Sequence, residues 1–101
     1  MSVGDLQYLT LLAVARLGEE AFARRIRRTL RDVAGREVSV STVFVTLTRL
    51  EDRGLLRSVR GDPPARGGRR VRIFALTDEG WDAVRATRRA SDRMWKGLEP
   101  A

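Results

Sequence analysis

Between residues 57 and 72 the chain carries six arginines, Arg57, Arg60, Arg66, Arg69, Arg70 and Arg72, against one acid, Asp62. Guanidinium groups at this density are suited to phosphate, which they grip with two parallel N–H donors where lysine offers a point charge. A second group lies just upstream. Ser39, Ser41, Thr42 and Thr48 present small hydroxyls, with Phe44, Val45 and Arg49 interleaved among them. Hydroxyls suit phosphate oxygens, and apolar groups suit the methyl of thymine. The glycines and prolines between Gly61 and Gly68 could instead cradle a nucleotide. No G-x-G-x-x-G opens a helix there, however, and no lysine follows it.

Other chemistries are excluded by composition. With no histidine and no cysteine, the 101-residue chain has no imidazole acid or base, no thiolate, no disulfide and no Cys/His zinc set. The carboxylate pairs Glu51/Asp52 and Asp78/Glu79 are adjacent in sequence and sit at helix faces or starts, where capping and solubility explain them. No enzyme is expected, and no cofactor. The net charge of +7 favours a polyanionic partner, since each arginine near a phosphate releases a condensed counterion. Nineteen of the twenty basic residues are arginine, a choice that phosphate recognition or a GC-rich genome would explain equally. The N-terminus has no charged region ahead of a long apolar run, and no stretch is long enough to span a bilayer. A cytoplasmic location without membrane contact is the expectation.

Four helices and a hairpin would position these residues. Asp5 to Leu17 reads as a first helix, apolar nearly all round, ended by Gly18. Glu19 to Ala34 reads as a second, with Phe22, Ile26, Leu30 and Val33 as its apolar stripe and Gly35 as its stop. Its arginines, Arg24, Arg25, Arg27, Arg28 and Arg31, occupy the flanks and outer face, either solvated or in phosphate contact. Ser39 caps a third helix over 39–53 with Val43, Leu47 and Leu50 as its core stripe, and Gly54 closes it. Ser41, Val45, Thr48 and Asp52 lie opposite that stripe, with Phe44 and Arg49 on its shoulders. Leu55 to Arg60 and Arg70 to Leu76 then read as paired strands. Thr77 caps a fourth helix to about Leu98, with Leu76 and Trp81 as a hydrophobic staple.

The expected fold is therefore mainly α with a small β-hairpin: a winged helix-turn-helix over residues 1–76 and a C-terminal dimerisation helix over 77–101. In this arrangement the third helix enters a DNA groove, and the basic wing, 57–72, tracks phosphates through Arg66, Arg69 and Arg70. The fourth helix has little of its own domain left to pack on. Leu6, Leu9 and Leu12 of the first helix and Trp81, Val84, Met94, Trp95 and Leu98 of the fourth are expected at a seam with a second copy, the rival being a helix folded back on its own domain. An indole exposed at that seam could stack on a planar small-molecule effector, or serve only in packing. A rival from another class is a winged-helix module that docks protein through Phe44 and Val45 without binding DNA.

These elements, in this order, resemble the PadR family of bacterial winged-helix transcriptional regulators. The matching residues are Leu9 to Phe22, Gly35 to Ser39, Thr42-Val43-Phe44, Leu47 to Leu56, Gly67 to Arg70 and Ile73 to Gly80. The resemblance implies a homodimeric repressor that binds double-stranded DNA at a pseudo-palindromic operator, with the fourth helix crossing to the partner subunit. The short C-terminus looks like the compact branch of the family. Two departures stand out. The family usually carries Gly-Thr-Leu-Tyr-Pro where this chain has Ser41-Thr42-Val43-Phe44-Val45, and often Tyr-Tyr where it has Ile73-Phe74. Phe44 lacks the hydroxyl of the usual tyrosine, and Val45 alters what faces the groove.

Overall fold

The computed structural model describes residues 4–61 and 71–98. Its elements are α1 (Asp5–Leu17), a 3-10 turn (Gly18–Glu20), α2 (Ala23–Asp32), α3 (Val40–Asp52), β1 (Leu56–Arg60), β2 (Arg72–Leu76) and α4 (Asp78–Trp95). The strands form one antiparallel pair in which Leu56 faces Leu76, Ser58 faces Phe74 and Arg60 faces Arg72. Three helices, the strand pair and the first half of α4 close around a single core. Leu11, Ile26, Val43, Leu47, Leu50 and Leu55 are fully buried at its centre, and Phe74, Ala83 and Val84 close its edge. The four helices and the hairpin are those expected.

Each helix boundary has a local cause. Gly18 adopts a positive φ of 56° and ends α1. At the end of α3, Gly54 (φ 76°) turns the chain so that its N–H reaches the Glu51 carbonyl and that of Leu55 reaches Leu50. This is the paired closure of a Schellman motif. It sends the chain directly into β1, so the strand begins at Leu56 rather than Leu55. At the other end of α3, Ser39 Oγ accepts from the Thr42 N–H at 3.1 Å. Ser39→Ala is expected to cost about 1 kcal/mol of unfolding free energy, the usual worth of such a cap. Urea melts of the two proteins check it, and an unchanged midpoint would show the cap to be idle.

The second helix departs from expectation. Glu19 and Glu20 belong to the 3-10 turn, and α2 starts only at Ala23. The reason is long-range: the Ala21 carbonyl accepts the Phe74 N–H at 2.9 Å, so it pairs with β2 instead of starting a helix. Ala21 is fully buried as a result. Because α2 also stops at Asp32, Val33 falls outside its apolar stripe and is 60% exposed. The fourth helix ends at Trp95 rather than near Leu98, with Gly97 at a φ of 87° just beyond.

Candidate nucleic-acid interface

The inner face of α3 is fixed first. Val43, Leu47 and Leu50 are fully buried, and Thr46, also buried, donates its hydroxyl to the Thr42 carbonyl at 2.8 Å. The helix therefore cannot roll, and its other face is set by the 100° step per residue. Ser41, Thr42, Phe44, Val45, Thr48 and Arg49 are all exposed on it. Phe44 and Val45 are each 49% exposed, a large apolar area toward solvent near the N-terminal end of the helix. Two hydroxyls are partly engaged inside the protein: Ser39 Oγ donates to Thr42 Oγ1 at 3.0 Å, and Thr48 Oγ1 donates to the Phe44 carbonyl at 2.9 Å. Each keeps acceptor capacity for an outside donor.

A second set of contacts locks the strand pair to α3. Glu51, near the C-terminal end of α3, accepts the Ser58 hydroxyl at 2.6 Å from β1. Arg72 of β2 donates through Nε to Ser58 Oγ at 3.2 Å and lies 3.7 Å from the other Glu51 oxygen. One carboxylate thus ties α3 and both strands together. The sequence offered no local sign of this, because Glu51 and Arg72 are far apart along the chain and meet only through the register of the strands. At the open end of the pair Arg60 stands directly opposite Arg72. Like charges at facing positions are unfavourable within a sheet. Arg72 is drawn toward Glu51, whereas Arg60 has no ion-pair partner among the described residues.

Arg66, Arg69 and Arg70, expected to carry the wing contact, lie outside the described residues. The first helix of the pair is basic as well. Arg24, Arg27, Arg28 and Arg31 of α2 line a cleft of about 490 Å³ with Ser39 and Val40 at the start of α3. Arg27 donates from Nε to the Val38 carbonyl at 3.0 Å, fixing the link between the two helices. Arg31 bonds Asp32 at 2.8 Å; that hydrogen bond holds the Asp32 carboxyl below its ordinary range and raises the Arg31 guanidinium. The spacing of Arg24, Arg28 and Arg31 by four and three was legible in the sequence, but not that this face meets the start of α3.

Of the residues expected at a subunit seam, Leu6, Leu9 and Leu12 pack partly against their own core, and each keeps some exposed area. Val84 is a correction: at 4% exposure it belongs to the core of its own subunit, beside Ala83 on the inner face of α4. Trp81 is 39% exposed, with the Arg85 guanidinium 5.5 Å from its ring centroid. From Arg88 to Leu98 every residue is exposed, including Met94, Trp95 and Leu98. Along α4 the small-residue stripe Ala83, Ala86, Ala90 and Met94 thus runs from buried to open. Among the described residues no group of acids could hold a metal ion, and no helix is long and apolar enough to cross a membrane.

A helix pair with its second member outward, followed by a strand pair locked to that member, defines a winged helix-turn-helix protein. The chain belongs to the PadR-like family of transcriptional regulators, whose model matches residues 11–86. That family regulates transcription and is not one of enzymes. Solved structures share the fold. A PadR-like transcription factor from Bacteroides fragilis superposes with a TM-score of 0.75 at 23% identity, covering 92% of this chain and 85% of that one. RosR of H. salinarum gives a TM-score of 0.71 at 26% identity over 94% and 79%. PadR of Bacillus subtilis, solved in complex with operator DNA, gives 0.65 at 17% identity over 80% of this chain and 45% of that one. No functionally curated protein matches the chain.

Proposed function

We propose that the protein is a homodimeric DNA-binding repressor that reads a pseudo-palindromic operator with α3 in the major groove. The observation that carries this reading is the two-sidedness of α3. Its inner face is wholly buried, while its outer face gathers Ser41, Thr42, Phe44, Val45, Thr48 and Arg49 toward solvent. A surface helix with only its own stability to serve would carry charges where Phe44 and Val45 stand. Facing arginines at Arg60 and Arg72 and a net charge of +7 favour a polyanionic partner beside it. Arg66, Arg69 and Arg70, outside the described residues, are the wing residues expected to contact the phosphates. Two copies related by a two-fold axis would engage half-sites about one helical turn, ~10 base pairs, or a multiple of it, apart.

Selection of bound fragments from the source genome tests the reading, because a dimeric reader recovers an inverted repeat at fixed spacing. Recovery of no common site would overturn it. Within a recovered site the two kinds of contact separate. Arg69→Ala is expected to weaken binding to operator and random DNA by the same factor, whereas substitutions at Val45 shift the preferred base. In mobility-shift titrations, an Arg66/Arg69/Arg70 triple alanine variant with undiminished affinity would remove the wing from the interface. The effector reading rests on Trp81 and Trp95, whose indole fluorescence should respond to any planar molecule that releases the operator.

A further inference from the structure

We propose that Glu51 sets the specificity of DNA binding by withholding Arg72 from phosphate until α3 is seated in its site. The proposal rests on the DNA-binding reading above and adds to it a residue that touches no base. Glu51, near the end of α3, and Arg72, on β2, form a partly exposed pair at 3.7 Å, bridged by Ser58. The two links to the carboxylate differ in strength. Ser58 donates to one Glu51 oxygen at 2.6 Å, whereas Arg72 reaches the other at ion-pair distance only. An exposed pair of that length contributes little to stability, so a phosphate, with its stronger grip on a guanidinium, can displace the carboxylate. Glu51 keeps a partner when Arg72 leaves, because the Ser58 hydroxyl still donates to it.

Arg60 supplies the drive for the exchange. It stands directly opposite Arg72, and the two guanidinium groups repel each other. Glu51 reaches only Arg72 and neutralises only part of that charge. A phosphate at the open end of the strands would take charge-assisted hydrogen bonds from both arginines. The exchange therefore favours DNA, but only where a phosphate comes within reach of both. Glu51 and the outward residues Ser41, Phe44 and Val45 ride on one helix, and the Glu51 cluster holds Arg72 at a fixed offset from that face. A duplex seated on α3 meets the face and the arginine pair together. Random DNA, held without base contacts, does not meet both, and Arg72 stays with Glu51.

The experiment measures the affinity of the full chain against salt, for the operator recovered by fragment selection and for random DNA. Each phosphate contact adds about 0.9 to the slope of log affinity against log salt. Glu51→Gln keeps an acceptor for Ser58 but not the charge. It is expected to steepen the slope on random DNA by about 0.9 per subunit and to leave the operator slope unchanged. Between 50 and 200 mM salt that is an extra fall in affinity of about 3.5-fold. Arg72→Gln is expected to do the reverse, losing about 0.9 per subunit on operator and nothing on random DNA. In the Arg72→Gln background the Glu51 change has no further effect, and Asp52→Asn, which removes the same charge one position on, keeps both wild-type slopes. Unchanged slopes, equal changes on the two DNAs, or a Glu51→Gln effect that Asp52→Asn reproduces or that survives without Arg72 would overturn the proposal while leaving DNA binding intact. Urea melts show whether each variant folds, and either single variant decides the matter if the other does not. A wild type without salt-dependent DNA binding would overturn the underlying reading instead.

Discussion

Gly80→Ala is expected to destabilise the protein by about 3 kcal/mol, the upper part of the range for an overpacked site. Glycine is a poor helix residue, so at an open position in α4 the same change would gain up to ~1 kcal/mol. Gly80 is not at an open position. A Cβ built there would lie 2.1 Å from the Leu55 carbonyl oxygen and 3.1 Å from its carbon, both rigid backbone. Relief requires α4 to move away from the segment that joins α3 to β1. That segment is where the start of α4 is held. The Thr77 N–H donates to the Leu55 carbonyl at 3.2 Å, and Thr77 Oγ1 donates to the Gly54 carbonyl at 2.6 Å while accepting the Gly80 N–H at 3.0 Å. Displacement strains all three bonds, each worth about 1 kcal/mol net. In a chain of this size 3 kcal/mol lowers the melting temperature by about 12–24 °C. Calorimetry of the two proteins decides the matter; a variant as stable as wild type would show that α4 is not pinned at Leu55.

The same contact shows which parts of the molecule a sequence reader can see. Glycines that end helices announce themselves, because their role is set by residues a turn away. Gly18, Gly35 and Gly54 were all readable, as were the Ser39 and Thr77 caps. The two faces of α3 were legible for a related reason: a helix periodicity with Val43, Leu47 and Leu50 on one side settles the other side by rotation alone. Gly80 offered no such sign, since the atom it makes room for is 25 positions upstream.

Long-range pairing likewise explains where the structure departs from the local sequence pattern. The Ala21 carbonyl is taken by Phe74, which moves the start of α2 from Glu19 to Ala23 and leaves the two acids in a separate turn. Val84 looked available for a partner because the stripes of α4 are ambiguous in sequence; only the packing of α1 and β2 against the helix decides which stripe is inner. At the interface the individual residues were legible and their company was not. The Glu51, Ser58 and Arg72 cluster and the cleft joining Arg24 and Arg28 to Ser39 both arise from elements brought together by the core.

Introducing charge at the far end of α4, as Met94→Asp/Leu98→Asp, is expected to leave the fold of each subunit intact while abolishing its pairing. Met94 is 76% exposed and Leu98 69% exposed, so neither contributes to the core, and surface changes of this kind usually lie within about 0.5 kcal/mol. The helix around them presents a difficulty that a second copy resolves. Residues 88–98 have no buried member, and a helical segment of fewer than about twelve residues is marginal in water without packing. Those residues nevertheless include the exposed apolar side chains Met94, Trp95 and Leu98, and nearer the core the half-buried Tyr8 and Leu12 of α1 line a groove with Trp81 and Arg88. In the proposed dimer, a second chain seated there would supply the missing cover and set the separation of the two copies of α3. For the variant, light scattering is expected to report a monomer with an unchanged unfolding midpoint. Operator affinity should fall by about 10²–10⁴, because the second half-site is no longer engaged by a tethered copy at high effective concentration. Binding to a single half-site should be unaffected. A variant that stays dimeric with full operator affinity would place the subunit seam elsewhere; a monomeric variant with full affinity would show that one reading helix suffices.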